Sequence, residues 1–261
     1  MLNTGRSSAF IIGCLFITVY AAPHVLPRGL VLPGAPWAEK HYSETIEDAD
    51  KQAFSKTLPV IDGLSRIVSD GQNSRALFSL TGKYKDRNGK EHEENTLVMK
   101  VLHNVDKYGY AEVKALKLAG DFVDSGMLSE SVPKLSKTPI PVIIMLRKPG
   151  QILSKTRAYR KANTDEENKL KAEAVDLMCK KVAHLAVTKK IYHGDNKEQN
   201  ALATIKTEKN SDGMTVSSVT AIELVDWGAP GVYLVKDTVI EDEVYKYCKN
   251  FWQNVFVPLY R

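Results

Sequence analysis

The order in which hydrophobic periodicity changes along this chain restricts its fold more than any other feature. Apolar and β-branched runs at Leu64–Val68, Ala76–Tyr84 and Asn95–Leu102, parted by Asp70-Gly71 and Asn88-Gly89 turns, predict three strands. Glu112, Leu116, Ala119 and Val123 then share one face of a helix predicted over Tyr108–Val123. Pro141–Leu146 reads as a buried strand, ended by Lys148-Pro149-Gly150. Thr164 and Glu167 form a capping-box pattern that opens a long helix, with Leu170, Ala174, Leu177, Met178 and Leu185 as its apolar stripe. A hairpin follows, Ala201–Thr207 with Val219–Val225, joined by the polar loop Glu208–Met214. A last helix is expected over Glu241–Phe256, packed through Val244, Tyr247, Cys248 and Phe251. Strands, helix, strand, long helix, hairpin and helix make an α+β chain in two lobes, and rule out an alternating βαβ sheet.

Ahead of this pattern the sequence reads as an address and a leader. Arg6 precedes a short apolar run, Ala9–Tyr20, that ends in Val19-Tyr20-Ala21-Ala22-Pro23. The run is too short for a membrane helix, which needs about 20 residues, and the small residues suit a signal peptidase cutting after Ala21. Residues 1–21 are therefore expected to be a secretory signal, and the mature chain to be soluble and free of membrane spans. Pro23, Pro27, Pro33 and Pro36 mark residues 22–45 as an extended leader, with a short polar helix around Glu47–Lys56. A domain over residues 46–261 remains.

A hydrophobic fraction of 43% with 26% charged residues excludes wholesale disorder, collagen and coiled coil. The net charge of +5 favours anionic ligands mildly and falls short of a nucleic-acid-binding stripe. Three cysteines cannot form a disulfide scaffold. Cleavage would remove Cys14, and whether Cys179 and Cys248 pair is open.

The chemistry is concentrated in His193-Gly-Asp-Asn-Lys-Glu-Gln-Asn200. This loop between a helix and a strand carries a carboxylate (Asp195), an amine (Lys197) and a carboxamide (Asn200). A second carboxylate, Asp226, follows the apolar strand ending at Val225 and precedes Gly228 by two positions. Carboxylate and amide oxygens at strand ends suit Mg²⁺, a hard cation that commonly also binds substrate phosphate. Upstream, Lys100 interrupts the apolar run Thr96–Leu102, where an unpaired ammonium would be costly.

These motifs resemble the protein-kinase-like superfamily, with its H-x-D-x-x-x-x-N loop and a later metal-binding Asp before Gly. The resemblance covers about residues 60–235. It implies a two-lobed kinase-like fold with a reduced C-lobe, an N-lobe over about residues 58–146 and a C-lobe over about 150–261. It implies that Asp195 orients or deprotonates an acceptor hydroxyl, and that Lys197 contacts the γ-phosphate. Asn200 and Asp226 would hold Mg²⁺ on ATP, while Lys100, paired with Glu112, would hold the α- and β-phosphates. Ile143–Lys148 would occupy the place of the adenine-binding hinge. Gly71 and Ser74, in the turn Ser69–Arg75, correspond to the phosphate-covering loop, although that turn has one glycine only.

Two branches of the superfamily share features with this chain. Lys197 matches Ser/Thr protein kinases, whereas His193-Gly194-Asp195 with Asp226-Trp227 is also similar to aminoglycoside and choline phosphotransferases. The expected activity is ATP- and Mg²⁺-dependent phosphoryl transfer, foremost to a protein hydroxyl, with a small-molecule acceptor or a non-catalytic binding module as alternatives. Because ATP is scarce outside cells, a secreted kinase of this kind is expected to act in the secretory lumen or, effector-like, after delivery into another cell.

Overall fold

The structure is a computed structural model that describes residues 35–69, 74–129, 139–228 and 231–256. The signal sequence falls outside the described residues, as do residues 22–34 of the leader, Gly71 and the C-terminal residues 257–261. No helix among the described residues is long and apolar enough to cross a membrane.

The architecture is mixed α+β. The first half runs β1 (Ala38–His41), short 3₁₀ turns at Tyr42–Glu44 and Asp50–Phe54, β2 (Leu64–Ser69), β3 (Ser74–Leu80), the short pair β4 (Tyr84–Lys85) and β5 (Glu91–His92), and β6 (Leu97–Leu102). Helix α1 (Lys107–Ala119), β7 (Phe122–Leu128) and β8 (Ile140–Leu146) complete it. The second half holds β9 (Gln151–Ile152), a 3₁₀ turn at Leu153–Lys155, α2 (Arg157–Lys161), α3 (Thr164–Lys189) and β10 (Ile191–His193). A 3₁₀ turn at Glu198–Asn200, the hairpin strands β11 (Ala201–Lys209) and β12 (Thr215–Leu224), β13 (Val232–Val235) and α4 (Glu241–Phe256) follow.

A five-stranded antiparallel sheet, in the order β2-β3-β6-β8-β7, forms the first half. Its central strand, β6, shows why the run Thr96–Leu102 is apolar on both sides. Successive residues of a strand face opposite ways. Leu97, Met99 and Val101 pack into one cluster with Phe78, Leu80, Val142 and Ile144. Leu102, with Ile143 of β8, instead joins a second cluster built around α1, α3 and α4. Lys100 lies on that second face, in register with Ile143.

Several boundaries differ from the sequence expectation. The helix predicted over Tyr108–Val123 ends at Ala119, because Gly120 adopts a left-handed conformation at φ 82° and caps it. Phe122–Leu128 becomes an edge strand instead, and Val123 packs in the sheet cluster. Gly126 is needed there: a Cβ would lie 2.5 Å from the Lys56 carbonyl oxygen, which accepts the Met127 N–H at 2.9 Å. The predicted strand Ala76–Tyr84 stops at Leu80, and Tyr84–Lys85 pairs with Glu91–His92 across the expected Asn88-Gly89 turn. The capping box lies one residue earlier than predicted. The Asn163 side chain accepts from the Asp165 and Glu166 N–H groups at 3.0 Å, and the Glu166 carboxylate accepts from the Asn163 N–H. Asn caps more strongly than Thr, which leaves Thr164 as the first helical residue.

The leader expected through residue 45 is also shorter than read from its prolines. β1 pairs antiparallel with β13, and Trp37 and Tyr42 are each 4% exposed. The Trp37 ring meets Tyr192 edge-on at 4.7 Å and Tyr247 at 5.3 Å, so this segment is part of the core. Trp37→Ala is expected to cost about 3 kcal/mol, read as a lowered denaturation midpoint at unchanged m-value.

α3 and α4 are joined covalently, since Cys179 and Cys248, both fully buried, form a disulfide with Cα atoms 5.5 Å apart. Tyr245 Oη and Lys249 Nζ also donate to Asp176 of α3, at 2.6 and 3.2 Å. Lys180 foremost, with these two donors, holds the Asp176 carboxyl down at about 2.

Candidate active site

Lys100 projects from β6 toward α1, and the buried face of α1 includes Gly109, Glu112, Val113 and Leu116 at helical spacing. Glu112 is therefore turned inward, 3% exposed, and accepts a hydrogen bond from Lys100 Nζ at 2.6 Å. The same ammonium donates to Asp226 Oδ1 at 3.0 Å. Asp226 is a non-glycine residue at φ 61°, a left-handed conformation that Asp tolerates better than most residues. Gly228 closes the corner. A Cβ there would stand 3.2 Å from Asp226 Oδ1, 3.4 Å from Glu112 Oε2 and 3.5 Å from Lys100 Nζ.

Two carboxylates thus share one ammonium. Burial alone would push the Lys100 ammonium down, but Glu112 and Asp226 outweigh it and hold the group charged, with its pKa raised. Burial pushes Glu112 up; Lys100 opposes this, and Asp226, a like charge, adds to it. With both carboxylates ionised the trio carries one excess negative charge, an electrostatic invitation to a cation.

The loop after β10 is tied on two sides. Toward Asp226, His193 Nε2 donates to the Val225 carbonyl at 3.1 Å, and the Val225 N–H donates to the Asn200 carbonyl at 2.9 Å. His193 is fully buried, and burial pushes its pKa down, so the ring is the neutral tautomer protonated at Nε2. Its face meets the Trp227 ring edge-on at 4.7 Å. Toward the helices, Asn196 Oδ1 accepts from Trp252 Nε1 at 3.3 Å, and Asn196 Nδ2 lies 3.8 Å from Cys248 Sγ. Gly194 is required by close packing, since a Cβ would lie 2.8 Å from the Tyr233 ring.

Between these anchors the functional groups converge. Asp195 Oδ2 accepts from Lys197 Nζ and from Asn200 Nδ2, both at 3.0 Å. Asn200 Nδ2 also donates to the Asp195 carbonyl at 2.8 Å, so both of these bonds of the side chain are made by its amide nitrogen. The buried neutral His193 has a testable consequence. Its folded pKa lies below the unfolded value, so its contribution is complete above about pH 6.5 and is lost as pH falls through that value toward the folded pKa. Thermal midpoints measured between about pH 7.5 and 5 should fall more steeply for the native chain than for His193→Phe, which has no proton to gain.

A cleft of about 620 Å³ lies between the five-stranded sheet and the β11–β12 hairpin, a volume suited to a small ligand. Ala76 and Val98 line it from the sheet, Met145 and Leu146 from β8, and Leu202 and Leu224 from the hairpin. Lys100, Glu112, Asn200 and Asp226 form its polar end, and Ser74 is also on the wall. Gly71 cannot be placed, as it falls outside the described residues. Asp195 and Lys197 are not on the cleft wall: Asp195 is bonded to Asn200, which is, and Lys197 is bonded to Asp195. Among the described residues no three His, Cys, Asp or Glu side chains form a metal-ligand cluster. The candidate donors are instead the Asp226 carboxylate, whose charge leaves the Lys100–Glu112–Asp226 trio negative, and the Asn200 amide oxygen. That set fits Mg²⁺, which keeps waters and takes further oxygens from substrate phosphate.

Sequence reading did not find two features of this site. Asp121, just beyond α1, is buried and forms an ion pair with Lys148, whose ammonium also lies 3.6 Å from Glu223. Burial pushes the Asp121 carboxyl up, and Lys148 opposes this. Nothing in the sequence brings residues 121, 148 and 223 together. Asn196 carries no local signal in the sequence, because its contacts are with Trp252 and Cys248, more than fifty residues away.

No model of a known protein family matches the sequence, and no curated protein is significantly similar to it.

Proposed function

We propose that this protein is an ATP- and Mg²⁺-dependent phosphotransferase with a two-lobed, protein-kinase-like fold, acting on a Ser or Thr hydroxyl of a protein. One observation carries the reading. A buried Lys100–Glu112 pair meets Asp226 at the polar end of a cleft whose adjoining loop presents Asp195, Lys197 and Asn200. In this reading the five-stranded sheet belongs to an N-lobe over about residues 58–146, and residues 150–261 form a reduced C-lobe.

Each group then has a task set by its surroundings. The apolar walls at Ala76, Val98 and Leu202 suit a flat heteroaromatic base. Lys100, held by Glu112, presents a fixed positive charge to the α- and β-phosphates. Asp226 and the Asn200 amide oxygen would hold Mg²⁺, which when bound supplies positive charge at the phosphate oxygens. Asp195 accepts the acceptor's hydroxyl proton as the hydroxyl oxygen forms its bond to the γ-phosphorus. The bond from that phosphorus to the β–γ bridging oxygen breaks, and ADP leaves with the electron pair. Lys197, 3.0 Å from Asp195, offsets negative charge on the group in transit.

The N-terminal address supports a secreted protein, and the buried Cys179–Cys248 bond is the kind that persists in oxidising compartments. Action in the secretory lumen or, effector-like, inside another cell follows from the need for ATP. The direct test incubates the mature chain with γ-labelled ATP, Mg²⁺ and a cell lysate. Label on protein, lost by about a thousandfold in Asp195→Ala, is the expected result. Label on small solutes alone would move the assignment to a small-molecule phosphotransferase. No label, with no thermal shift from ATP and Mg²⁺, would leave a binding module.

A further inference from the structure

Lys155-Thr-Arg-Ala-Tyr-Arg-Lys161 places four cations in one short segment with no carboxylate among them. All four are exposed. Lysines elsewhere on the surface are commonly paired, as in Lys51–Asp48, Lys83–Glu91, Lys180–Asp176 and Lys246–Asp242. Lys155, Arg157, Arg160 and Lys161 have no ion-pair partner among the described residues. A solvated cationic face is ordinary; four adjacent unpaired cations on a fixed ridge are less so.

The ridge is fixed by its buried side. Leu153 is buried, and the Thr156 hydroxyl donates to the Leu153 carbonyl at 2.8 Å while accepting the Tyr159 N–H that caps α2. Tyr159 Oη reaches Glu167 of α3 at 3.4 Å. One end of the ridge meets the candidate active site: Lys155 lines the cleft, and the Ser154 N–H donates to Glu198 of the 193–200 loop at 2.9 Å. The other end opens into a separate groove of about 790 Å³. Arg157, Lys161 and Lys169 (3.8 Å from Glu173) stand on its helical side; opposite are the hairpin hydroxyls of Thr215 and of Thr207 and Ser217, the last two bonded to each other at 2.9 Å. Glu166, the groove's carboxylate, is engaged by the Asn163 N–H.

We propose that this ridge and groove dock an acidic segment of the protein acceptor, so that carboxylates along Lys155–Lys161 hold its hydroxyl beside Asp195. The inference deepens the phosphotransferase reading and rests on it. Cations and hydroxyl donors are complementary to carboxylates on an extended chain. No aromatic ring lines the groove, so single-stranded bases would find no stacking platform. α2 carries no buried residue and no apolar face to insert into a lipid surface.

The test compares a serine peptide carrying a run of glutamates with its glutamine counterpart, using the full mature chain and the double variant Arg157→Glu/Lys161→Glu. Binding is read by fluorescence anisotropy without nucleotide, and transfer by kcat/KM. The acidic peptide should bind about tenfold or more tighter than the glutamine peptide, with a preference that shrinks as salt rises and vanishes in the double variant. The ratio of kcat/KM values for the two peptides should collapse in parallel, while circular dichroism shows the variant folded. Equal binding of both peptides overturns the proposal. So does tighter binding of a single-stranded oligonucleotide or of phosphatidylserine vesicles. Acidic-peptide binding without any transfer would keep the docking surface and sink the phosphotransferase reading. Transfer with equal kcat/KM for both peptides would do the reverse.

Discussion

Asp226→Asn should lower phosphoryl transfer by about a thousandfold while leaving the protein as stable as before or more so. The substitution keeps the size of the side chain, and Asn adopts the left-handed conformation at φ 61° as readily as Asp. It removes the charge that leaves the Lys100, Glu112 and Asp226 trio negative. Lys100 then faces Glu112 alone, 2.6 Å away and almost fully buried, as a balanced pair. The like-charge repulsion that helps raise the Glu112 pKa disappears. Under the proposed phosphotransfer, activity would fall because a neutral amide is a poor ligand for the Mg²⁺ that the carboxylate would hold. Transfer rates, a thermal-shift titration with Mg²⁺ and ATP, and urea denaturation test all three statements. A variant that is inactive because it is unfolded, or one retaining native turnover, would contradict this assignment. Lys100→Ala makes the informative contrast. It strands Glu112 as a buried, unpaired carboxylate and should cost about 3–5 kcal/mol.

Breaking the Cys179–Cys248 bond is the second large perturbation expected. The two cysteines are 69 residues apart in sequence, and closing a loop of that length restricts the unfolded chain by about 4 kcal/mol in the chain-entropy model. For a domain of this size that corresponds to a fall of roughly 10 °C in Tm. The double variant Cys179→Ala/Cys248→Ala, and the native chain with a thiol reductant, should show the same loss. The effect should extend to activity at temperatures where both forms remain folded. Cys248 and Trp252 flank Asn196, which sits between Asp195 and Lys197 in the 193–200 loop. Freeing α4 from α3 loosens that anchor. A reduced chain, with free thiols shown by titration, that melts at the native temperature would refute the stabilising role.

Elements with strong periodicity were legible without coordinates. Lys100 stood out as the one charge inside the apolar run Leu97–Leu102, the spacing of Glu112 and Leu116 turned Glu112 inward, and the structure sets the two 2.6 Å apart. The hairpin was legible in type and position, and its strands run longer than expected, to Lys209 and from Thr215. β1 was not, because the prolines around Trp37 carry no strand period and its pairing partner, β13, lies almost two hundred residues away. β7 was missed for a related reason. Val123 continues the helical spacing of Glu112, Leu116 and Ala119, and only the Gly120 cap and pairing with β8 turn the chain into a sheet. Long-range pairing overrides a local period whenever it satisfies more backbone groups.

The sequence by itself determined the types and order of most elements, and singled out Lys100, Glu112 and Asp226 among the ionisable groups at the cleft. These follow from local periodicity and side-chain chemistry. Tertiary structure alone decided that Lys100 is shared between Glu112 and Asp226, and that Asn196 is clasped between Trp252 and a disulfide. It likewise decided that the Lys155–Lys161 ridge runs from the cleft to a second groove. Each depends on bringing residues from distant segments within a few ångströms, and the direction a side chain takes across such a gap is set by packing rather than by its neighbours in sequence.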